Sequence, residues 1–323
     1  MTLKNIAVLG PRGNVGSAII TELLKDGSRF NITAITRPTS TYTAPPNSNI
    51  PHKTVDYESL ESLTNAFTGQ DAIVNCVTGS ATQYTPSKLI IDAAIAAGVK
   101  FFFANEFVGL VTSERFKLLP ESAAGAKVRI REYLEAVGAE GKIQWTSLNG
   151  GPFFDMWLMK GPAGFDVKRK RARIYGTGEN KVFWTPLPTI ALAAANMIRK
   201  PELVVNRPIY ICTVPDLNQN ALLEALEKVL ETKFSVEKVN VEKIDQHAKI
   251  ALQRGEVAKA MKGLTISNQF YEENVIDFSH LVENELVGVQ PVSVEEAVRQ
   301  AVEIYGTECP IVEGMFNVEP CEI

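Results

Sequence analysis

Three glycines stand at G-x-x-G-x-x-G spacing directly after the first apolar run of the chain. That run covers residues 5–9, and helical spacing of apolar residues begins at residue 14. Such a turn lets the backbone approach a pyrophosphate closely, and the start of the following helix offers unpaired N–H groups and the positive end of a dipole. This context predicts a dinucleotide-binding turn, against the alternative of a tight turn without a ligand. The candidate phosphate-binding residues are Gly10, Pro11, Arg12, Gly13, Asn14, Val15 and Gly16.

Short apolar strands and amphipathic helices alternate through the first half of the chain. The patterns predict strands at residues 5–9, 31–36, 53–55, 72–76, 99–104 and 143–148, and helices at residues 14–25, 59–67, 87–97 and 123–137. This alternation predicts an α/β fold, a Rossmann-type doubly wound parallel sheet with right-handed crossovers.

No carboxylate stands at the end of the second predicted strand, where NAD-binding domains contact the ribose 2′-hydroxyl. The chain has Arg37 there, followed by the hydroxyls of Thr39 and Ser40. A guanidinium can pair with a 2′-phosphate through two hydrogen bonds, and Arg12 on the glycine turn can assist it. The sequence therefore predicts NADP(H) as the cofactor; the alternative for Arg37 is an ordinary solvated residue.

The pattern changes after residue 150, where an apolar, aromatic and turn-rich segment begins. We expect residues 1–150 to form an NADP-binding Rossmann domain and residues 151–323 to form mainly a smaller C-terminal substrate-binding lobe. Residues of about 189–214 are expected to return to the Rossmann sheet. Within the lobe the patterns predict helices at residues 218–230, 241–261 and 294–304 and a strand at residues 234–239.

The composition argues against several classes of partner. A net charge of −4 and a pI of about 5.6 provide no positive field for nucleic acid or an anionic membrane. No apolar stretch reaches the ~20 residues of a membrane-spanning helix, and the N-terminus has no signal-peptide pattern. The four cysteines and three histidines lack metal-ligand spacing. We expect a cytoplasmic monomer or homodimer that binds a small molecule and no metal.

Three later segments follow one another in the order known from a group of reductases. They are Thr78-Gly79, residues 99–109 with Asn105-Glu106-Phe107-Val108-Gly109 at their end, and Lys127-Val128-Arg129-Ile130-Arg131. Together they resemble the NmrA-like group of atypical short-chain dehydrogenases, which includes isoflavone, pinoresinol–lariciresinol and phenylcoumaran benzylic ether reductases. The chain is most similar to the fungal isoflavone-reductase-like proteins, from the N-terminus to about residue 230.

The resemblance implies roles for four residues. Lys127 matches the group's catalytic lysine in Lys-x-x-Ile-Arg, and Arg131 falls where the group contacts the cofactor. Thr78 and Asn105 are expected to contact the cofactor as well. The match is partial, because Asn105 stands where the reductases have serine and Val108 is an insertion.

A lysine can transfer a proton when its pKa is lowered. Burial, a nearby nicotinamide or Arg131 would disfavour the ammonium form of Lys127, which makes it the candidate general acid or base. Tyr84 and Lys88 have the Tyr-x-x-x-Lys spacing that ordinary short-chain dehydrogenases use. It comes too early in the chain, and Pro86 lies inside it, so we interpret it as chance.

The segment after the last predicted Rossmann strand supplies candidate substrate residues, with ordinary core packing as the alternative. They are Asn149, Phe153, Phe154 and Trp157. A basic run at residues 168–173 is a solvated loop in the simplest interpretation, with a targeting role as the alternative.

These features predict an NADPH-dependent reductase of a small aromatic, enone or polyketide-like metabolite, with hydride from nicotinamide and Lys127 as general acid or base. One alternative is a non-catalytic NmrA-like regulator that senses NADP(H) and acts through protein partners. Another is an isomerase or other non-redox enzyme on the same scaffold.

Overall fold

The computed structural model describes residues 1–271 and 276–323. Its strands are β1 (Asn5–Leu9), β2 (Asn31–Thr36), β3 (His52–Thr54), β4 (Ala72–Asn75), β5 (Phe101–Ala104), β6 (Gln144–Asn149), β7 (Phe165–Asp166), β8 (Arg171–Tyr175), β9 (Arg207–Tyr210) and β10 (Ser235–Val239). Its α-helices are α1 (Asn14–Leu24), α2 (Leu60–Phe67), α3 (Tyr84–Ala96), α4 (Glu114–Lys117), α5 (Ala126–Ala139), α6 (Phe154–Lys160), α7 (Leu187–Arg199), α8 (Gln219–Val229), α9 (Val241–Gln253), α10 (Val257–Phe270), α11 (Val294–Tyr305) and α12 (Glu313–Phe316).

Seven strands form one parallel sheet in the order β3-β2-β1-β4-β5-β6-β9. The chain builds outward from β1 in one direction through β2 and β3, and then in the other direction from β4. The strand order therefore reverses between β1 and β4, and the crevice at the carboxyl ends of these two strands is where open α/β sheets bind ligands. The predicted Rossmann-type doubly wound fold is confirmed.

Both faces of this sheet are covered, which explains why its strands are apolar runs without polar alternation. Ile6 and Val8 of β1 pack into a core with α1 and α7, whereas Ala7 and Leu9 pack into a second core with α2, α3 and α5. Successive side chains of a strand point to opposite faces, so a single apolar run supplies both cores.

The second half of the chain forms a lobe around its own core. A small sheet in the order β10-β8-β7 packs with α6, α8 and α11 around buried aromatic residues. Part of this half lies on the Rossmann sheet: β9 pairs in parallel with β6, and α7 packs against α1. Residues 282–289 also reach this sheet, since Val282 bridges Tyr210 and Val287 is buried in the core beneath it.

Three predicted helices have different bounds in the structure. The helix predicted at residues 87–97 begins three residues earlier, as α3 at Tyr84. The helix predicted at residues 241–261 is divided into α9 and α10 by Gly255, whose φ of 78° ends α9 in the left-handed region. The helix predicted at residues 123–137 begins as α5 at Ala126, after a π turn at Glu121–Gly125 in which Ala123 has non-helical dihedral angles. The apolar periodicity of the sequence continues across Gly255 and across the π turn, so it does not predict either break.

The basic run at residues 168–173 contacts the C-terminal segment of the same chain. Arg173 is buried, and its Nη1 donates to the carbonyl oxygens of Phe316 at 3.0 Å and Val318 at 3.2 Å. The exposed members Lys168 and Arg169 form ion pairs with acidic residues at 308 and 313. The run therefore has a structural task, which is to hold the C-terminus against β8.

Arg173→Met is expected to destabilise the protein by about 2–4 kcal/mol, because two buried carbonyl groups lose their donor. The loss should appear as a lower midpoint of urea unfolding and as faster proteolysis near the C-terminus. Lys168→Met is the matched control, because half of its side chain is exposed and its partner Glu308 is exposed as well, and it should cost less than about 1 kcal/mol. Equal effects of the two substitutions would contradict the anchoring role of Arg173.

Candidate active site

The glycine turn is held by backbone groups that leave no room for side chains. Gly10 has a φ of 70°, and a Cβ there would lie 2.3 Å from the carbonyl oxygen of Cys76, which follows β4. A Cβ at Gly16 would lie 2.3 Å from the carbonyl oxygen of Gly10. These two glycines therefore let the turn and the start of α1 pack directly against β4.

The start of α1 is open toward the crevice. Gly13 is its N-cap residue and supplies no side-chain cap, and the first hydrogen bond of the helix is made by Ser17 N to Gly13 O at 2.9 Å. The N–H groups of the preceding first turn lack intrahelical partners. They provide the donors and the positive dipole end that a phosphate group requires.

A cavity of about 690 Å³ lies on the β2 side of this turn. Its walls are the glycine turn and the segments that follow β2, β3 and β4. The predicted residues that it brings together are Gly10, Pro11, Arg12, Gly13, Arg37 and Thr78.

A second cavity of about 340 Å³ adjoins the first on the β5 side. The two share Gly13, Cys76, Val77 and Thr78 in their walls. The predicted residues at the second cavity are Asn14, Val15, Asn105, Lys127 and Phe153, in addition to the shared ones. The switch point thus has one cavity on each side of the glycine turn.

The first cavity carries two exposed guanidinium groups, those of Arg12 and Arg37. In the part of the chain that the structure describes, neither takes part in an ion pair. Burial raises the pKa of Tyr57, and the neighbouring charge of Arg37 opposes this shift. The cavity wall therefore presents two cations that are available to an anionic ligand. Thr39 and Ser40, which come shortly after Arg37 in the chain, line the same wall.

The sequence analysis missed the part of this wall that follows β3. Asp56, Tyr57 and Glu58 line the first cavity beside Arg37. The signal was available, because the carboxyl ends of parallel strands meet at one edge of a sheet and β3 neighbours β2. The residues that follow an edge strand next to β2 are therefore candidates for the wall of the site.

Lys127 brings its amine to the second cavity from the first turn of α5. Its Nζ donates to the backbone oxygen of Asn105 and, at 3.3 Å, to Oδ1 of the same residue. Burial lowers the pKa of Lys127 to about 8, and the negative charge of the nearby Glu106 carboxylate opposes this shift. At this pKa the amine can both hold and release a proton near neutral pH.

Arg131 lies beneath the cavity instead of in its wall. Its Nε donates to Glu106 Oε1 at 2.6 Å, its Nη2 donates to Glu106 Oε2, and Nη2 also reaches Ser147 Oγ at 3.2 Å. Arg131 and Glu106 are both buried. Arg131 follows Lys127 by one helical turn, which directs its side chain to the sheet, and its contact with the cofactor stays a prediction.

The four candidate substrate residues are spread over three environments. Phe153 lines the second cavity. Phe154 starts α6 and turns into the lobe core, where Trp157 packs against the Trp184 ring at a centroid distance of 5.2 Å. Asn149 is buried, and its Nδ2 donates to Ser147 Oγ at 3.2 Å. The structure thus brings one of the four to the cavity, since the helix rotates the next residues away from it.

Two residues next to Asn105 complete the cavity wall. Phe107 has a φ of 41°, unusual for a residue with a side chain, and its ring stacks on Phe103 at a centroid distance of 5.8 Å. The inserted Val108 lines the cavity, and its carbonyl oxygen accepts from Gly151 N at 3.2 Å. The insertion is thus absorbed by a strained turn that connects the sheet to the lobe.

Neither Tyr84 nor Lys88 lines either of the two cavities. The Tyr84 ring lies under the guanidinium of Arg129, and Lys88 Nζ donates to Asp92 Oδ2 at 2.6 Å. Both lie in the first turns of α3, which Pro86 does not interrupt, but neither reaches a cavity, consistent with a chance match.

Two kinds of feature are absent from the described residues: a cluster of metal-ligating side chains and a membrane-spanning helix. Among them, no group of three or more His, Cys, Asp or Glu side chains has the arrangement of a metal site. In residues 1–271 and 276–323 no helix combines the length and the apolar character needed to cross a membrane.

An open helix start at the switch point, two arginines on one side and a partly buried lysine amine on the other define a dinucleotide-binding protein of the Rossmann type. A family model described as NAD(P)H-binding matches residues 10–163. The oxidoreductase aprR of Aspergillus flavus is 34% identical over 257 residues, which cover 79% of this chain and 83% of aprR.

Two solved structures share the fold. The NADPH-dependent quinone oxidoreductase QOR2 of Escherichia coli, complexed with NADPH, has a TM-score of 0.70 at 21% identity and covers 91% of this chain and 99% of its own. AtPrR2 with NADP+ and (+)-pinoresinol has a TM-score of 0.72 at 19% identity and covers 94% of this chain and 99% of its own. The chain belongs to the NAD(P)H-binding oxidoreductase family that includes aprR, which confirms the predicted enzyme class and cofactor. The predicted resemblance to isoflavone-reductase-like proteins is confirmed.

Substitutions at two glycines of the turn are expected to have different effects, one on stability and one on NADPH affinity. Gly16→Ala should lower the free energy of unfolding by about 1–3 kcal/mol, because its Cβ meets backbone. Gly13→Ala should cost less than about 1 kcal/mol, because its Cβ would lie 3.4 Å from Gly10 O. A methyl group there narrows the space beside the helix start, so NADPH should bind at least about tenfold more weakly, a change of 1.4 kcal/mol. Urea unfolding and calorimetric titration measure the two effects, and unchanged NADPH affinity of Gly13→Ala would place the dinucleotide elsewhere.

Proposed function

We propose that the protein is an NADPH-dependent reductase that transfers a hydride to a small, flat enone or quinone-like metabolite, with Lys127 as the general acid. The observation that carries this proposal is the partly buried amine of Lys127, which lines the second cavity next to the glycine turn. The substrate range of this chain is inferred from its cavity and from the quinone and pinoresinol ligands or activities named for the similar structures.

The cavities fit an extended NADP(H) molecule. The glycine turn and the open start of α1 would hold the pyrophosphate, because they lie between the two spaces. Arg37, with Arg12 beside it, would bind the 2′-phosphate in the first cavity. The nicotinamide end would then enter the second cavity, where Asn105, Lys127 and Phe153 line the wall.

When bound, the reduced nicotinamide would supply a hydride, so a group of the protein must donate the proton that the reduced substrate takes up. Lys127 donates from its ammonium form to the substrate oxygen on which negative charge develops, and it recovers a proton from solvent after product release. Its lowered pKa makes the ammonium a stronger acid than an ordinary lysine.

The wall around this amine suits a flat apolar molecule. Val77, Phe107, Val108 and Phe153 surround the second cavity. Aromatic and aliphatic groups with one proton donor are the usual lining of a site that binds a conjugated ring and recognises one carbonyl oxygen. Burial of the substrate beside Phe153 also excludes water from the transferred hydride.

Arg37→Glu tests the cofactor preference. The variant loses a charge-assisted contact with the 2′-phosphate and places a carboxylate beside it, so we expect NADPH affinity to fall by about 100-fold. NADH lacks this phosphate, and its affinity should change by less than about threefold. Calorimetric titration of both dinucleotides provides the comparison, and equal losses would remove the assignment of Arg37.

Lys127→Met tests the proton donor. NADPH should still bind, while NADPH oxidation with quinone and enone substrates should fall by about 10²–10⁴-fold. Lys88→Met is the matched control, because Lys88 is a lysine on the neighbouring helix α3 that forms an ion pair with Asp92; it should retain wild-type turnover.

The pH profile gives an independent prediction for the wild type. The ammonium form of Lys127 is the active form, so kcat/KM should fall as the pH rises through about 8. Lys127→Met should lack this alkaline limb. Tight NADPH binding without turnover on any substrate would instead favour the NADP(H)-sensing regulator.

A further inference from the structure

Asn105 connects three parts of the site. It follows β5 directly, and its Nδ2 donates to the carbonyl oxygen of Val77, beyond the end of β4, at 2.6 Å. Its backbone oxygen and Oδ1 both accept from Lys127 Nζ. One amide side chain therefore joins the ends of two neighbouring strands to the amine on α5.

We propose that Asn105 is a positioning residue that fixes the direction in which Lys127 presents its proton to the second cavity. The proposal rests on the proposed function, because it assigns Lys127 the donated proton. It goes beyond that function by explaining how one N–H direction of a flexible side chain is selected.

The count of N–H groups supports this role. A lysine ammonium has three donors, whereas the neutral amine has two donors and one lone pair. The two oxygens of Asn105 accept two of these donors. When the third N–H bond breaks, its electron pair stays on nitrogen and an O–H bond forms on the substrate oxygen. The neutral amine then keeps both contacts to Asn105, and its lone pair takes the place of the transferred proton.

The chemistry of the amide suits this task. Nδ2 donates to Val77 O, and this contact orients the amide so that Oδ1 faces Lys127. The amide oxygen is uncharged, so it orients the ammonium without the stabilisation that a carboxylate would provide. A carboxylate at this position would raise the pKa of Lys127 and weaken it as an acid.

The backbone of Asn105 is held from below. Glu106 accepts two hydrogen bonds from Arg131 in a buried ion pair, and Phe107 N donates to Leu148 O at 3.0 Å. These contacts anchor the two residues that follow Asn105. The direction of the Asn105 carbonyl group, and with it the first contact of Lys127, is set by this anchored segment.

The first experiment titrates Lys127 without any substrate. Trace acetylation with acetic anhydride between pH 6 and pH 11, followed by peptide mass spectrometry, yields the midpoint of Lys127 reactivity. Lys25, an exposed lysine with 66% of its side chain accessible, is the internal reference. Asn105→Asp should raise the Lys127 midpoint by about one unit or more relative to wild type. Equal midpoints in wild type and variant, with NADPH binding retained, would overturn the proposal.

A double-mutant cycle tests the geometry and does not depend on the aspartate variant. Asn105→Leu removes the amide at nearly constant volume and should lower kcat, measured at saturating NADPH, by about 10–100-fold. In a Lys127→Met background the same substitution should cause no further loss, because there is no amine left to orient. An equal loss in both backgrounds would show a merely structural role and would contradict the proposal.

The two experiments separate this proposal from the proposed function. Shifted labelling midpoints in a protein that reduces no substrate would retain the positioning role and remove the reductase. The opposite result would retain the reductase and remove the positioning role. In that case turnover depends on Lys127, the acetylation midpoint of Lys127 is the same in wild type and Asn105→Asp, and Asn105→Leu causes the same loss of kcat with or without Lys127.

Discussion

The backbone contact between the glycine turn and β4 is the constraint on which the site depends. Gly10 lies against the carbonyl oxygen of Cys76, and Gly16 lies against the carbonyl oxygen of Gly10. These contacts place the open start of α1 at the point where the strand order reverses, with a cavity on either side. The side chain of Cys76 is buried in the core on one face of the sheet, and burial raises the pKa of its thiol to about 12. The thiol in the wall between the two cavities is therefore neutral near pH 7, so it carries no charge beside the amine of Lys127.

The switch point also separates two kinds of electrostatics. Arg12 and Arg37 are exposed on the β2 side, where solvent screens them and a phosphate can reach them. Lys127 lies on the β5 side, where burial disfavours its ammonium form. An exposed guanidinium stays charged and binds an anion, whereas a buried amine becomes acidic. The two sides of one turn thus suit binding and proton transfer, respectively.

The sequence was sufficient for the fold and for the turn, because both follow from local patterns. Apolar periodicity predicts strands and helices, and glycine spacing after β1 predicts the phosphate site. It was insufficient where tertiary packing decides the direction of a side chain. Phe153 and Phe154 are neighbours of the same type, and only the start of α6 between them separates a cavity residue from a core residue. Arg131 was assigned from its position in a motif, but its direction depends on a buried partner, Glu106, 25 residues away in the chain.

The ion pair of Glu106 and Arg131 is best explained by the geometry that it maintains. Both groups are buried, and the loss of hydration on burying two charges offsets much of their attraction, so a pair of this kind is weak evidence for stability. The bidentate contact nevertheless fixes Glu106 in one orientation, between Asn105 and a residue with positive φ. Phe107 in that conformation costs about 1–3 kcal/mol, and such strain persists only where surrounding contacts hold it. The pair, the strained turn and the amide of Asn105 therefore form one continuous support for the amine of Lys127. Apolar residues of equal volume could replace the pair in the core, but they could not orient the carbonyl group on which Lys127 depends.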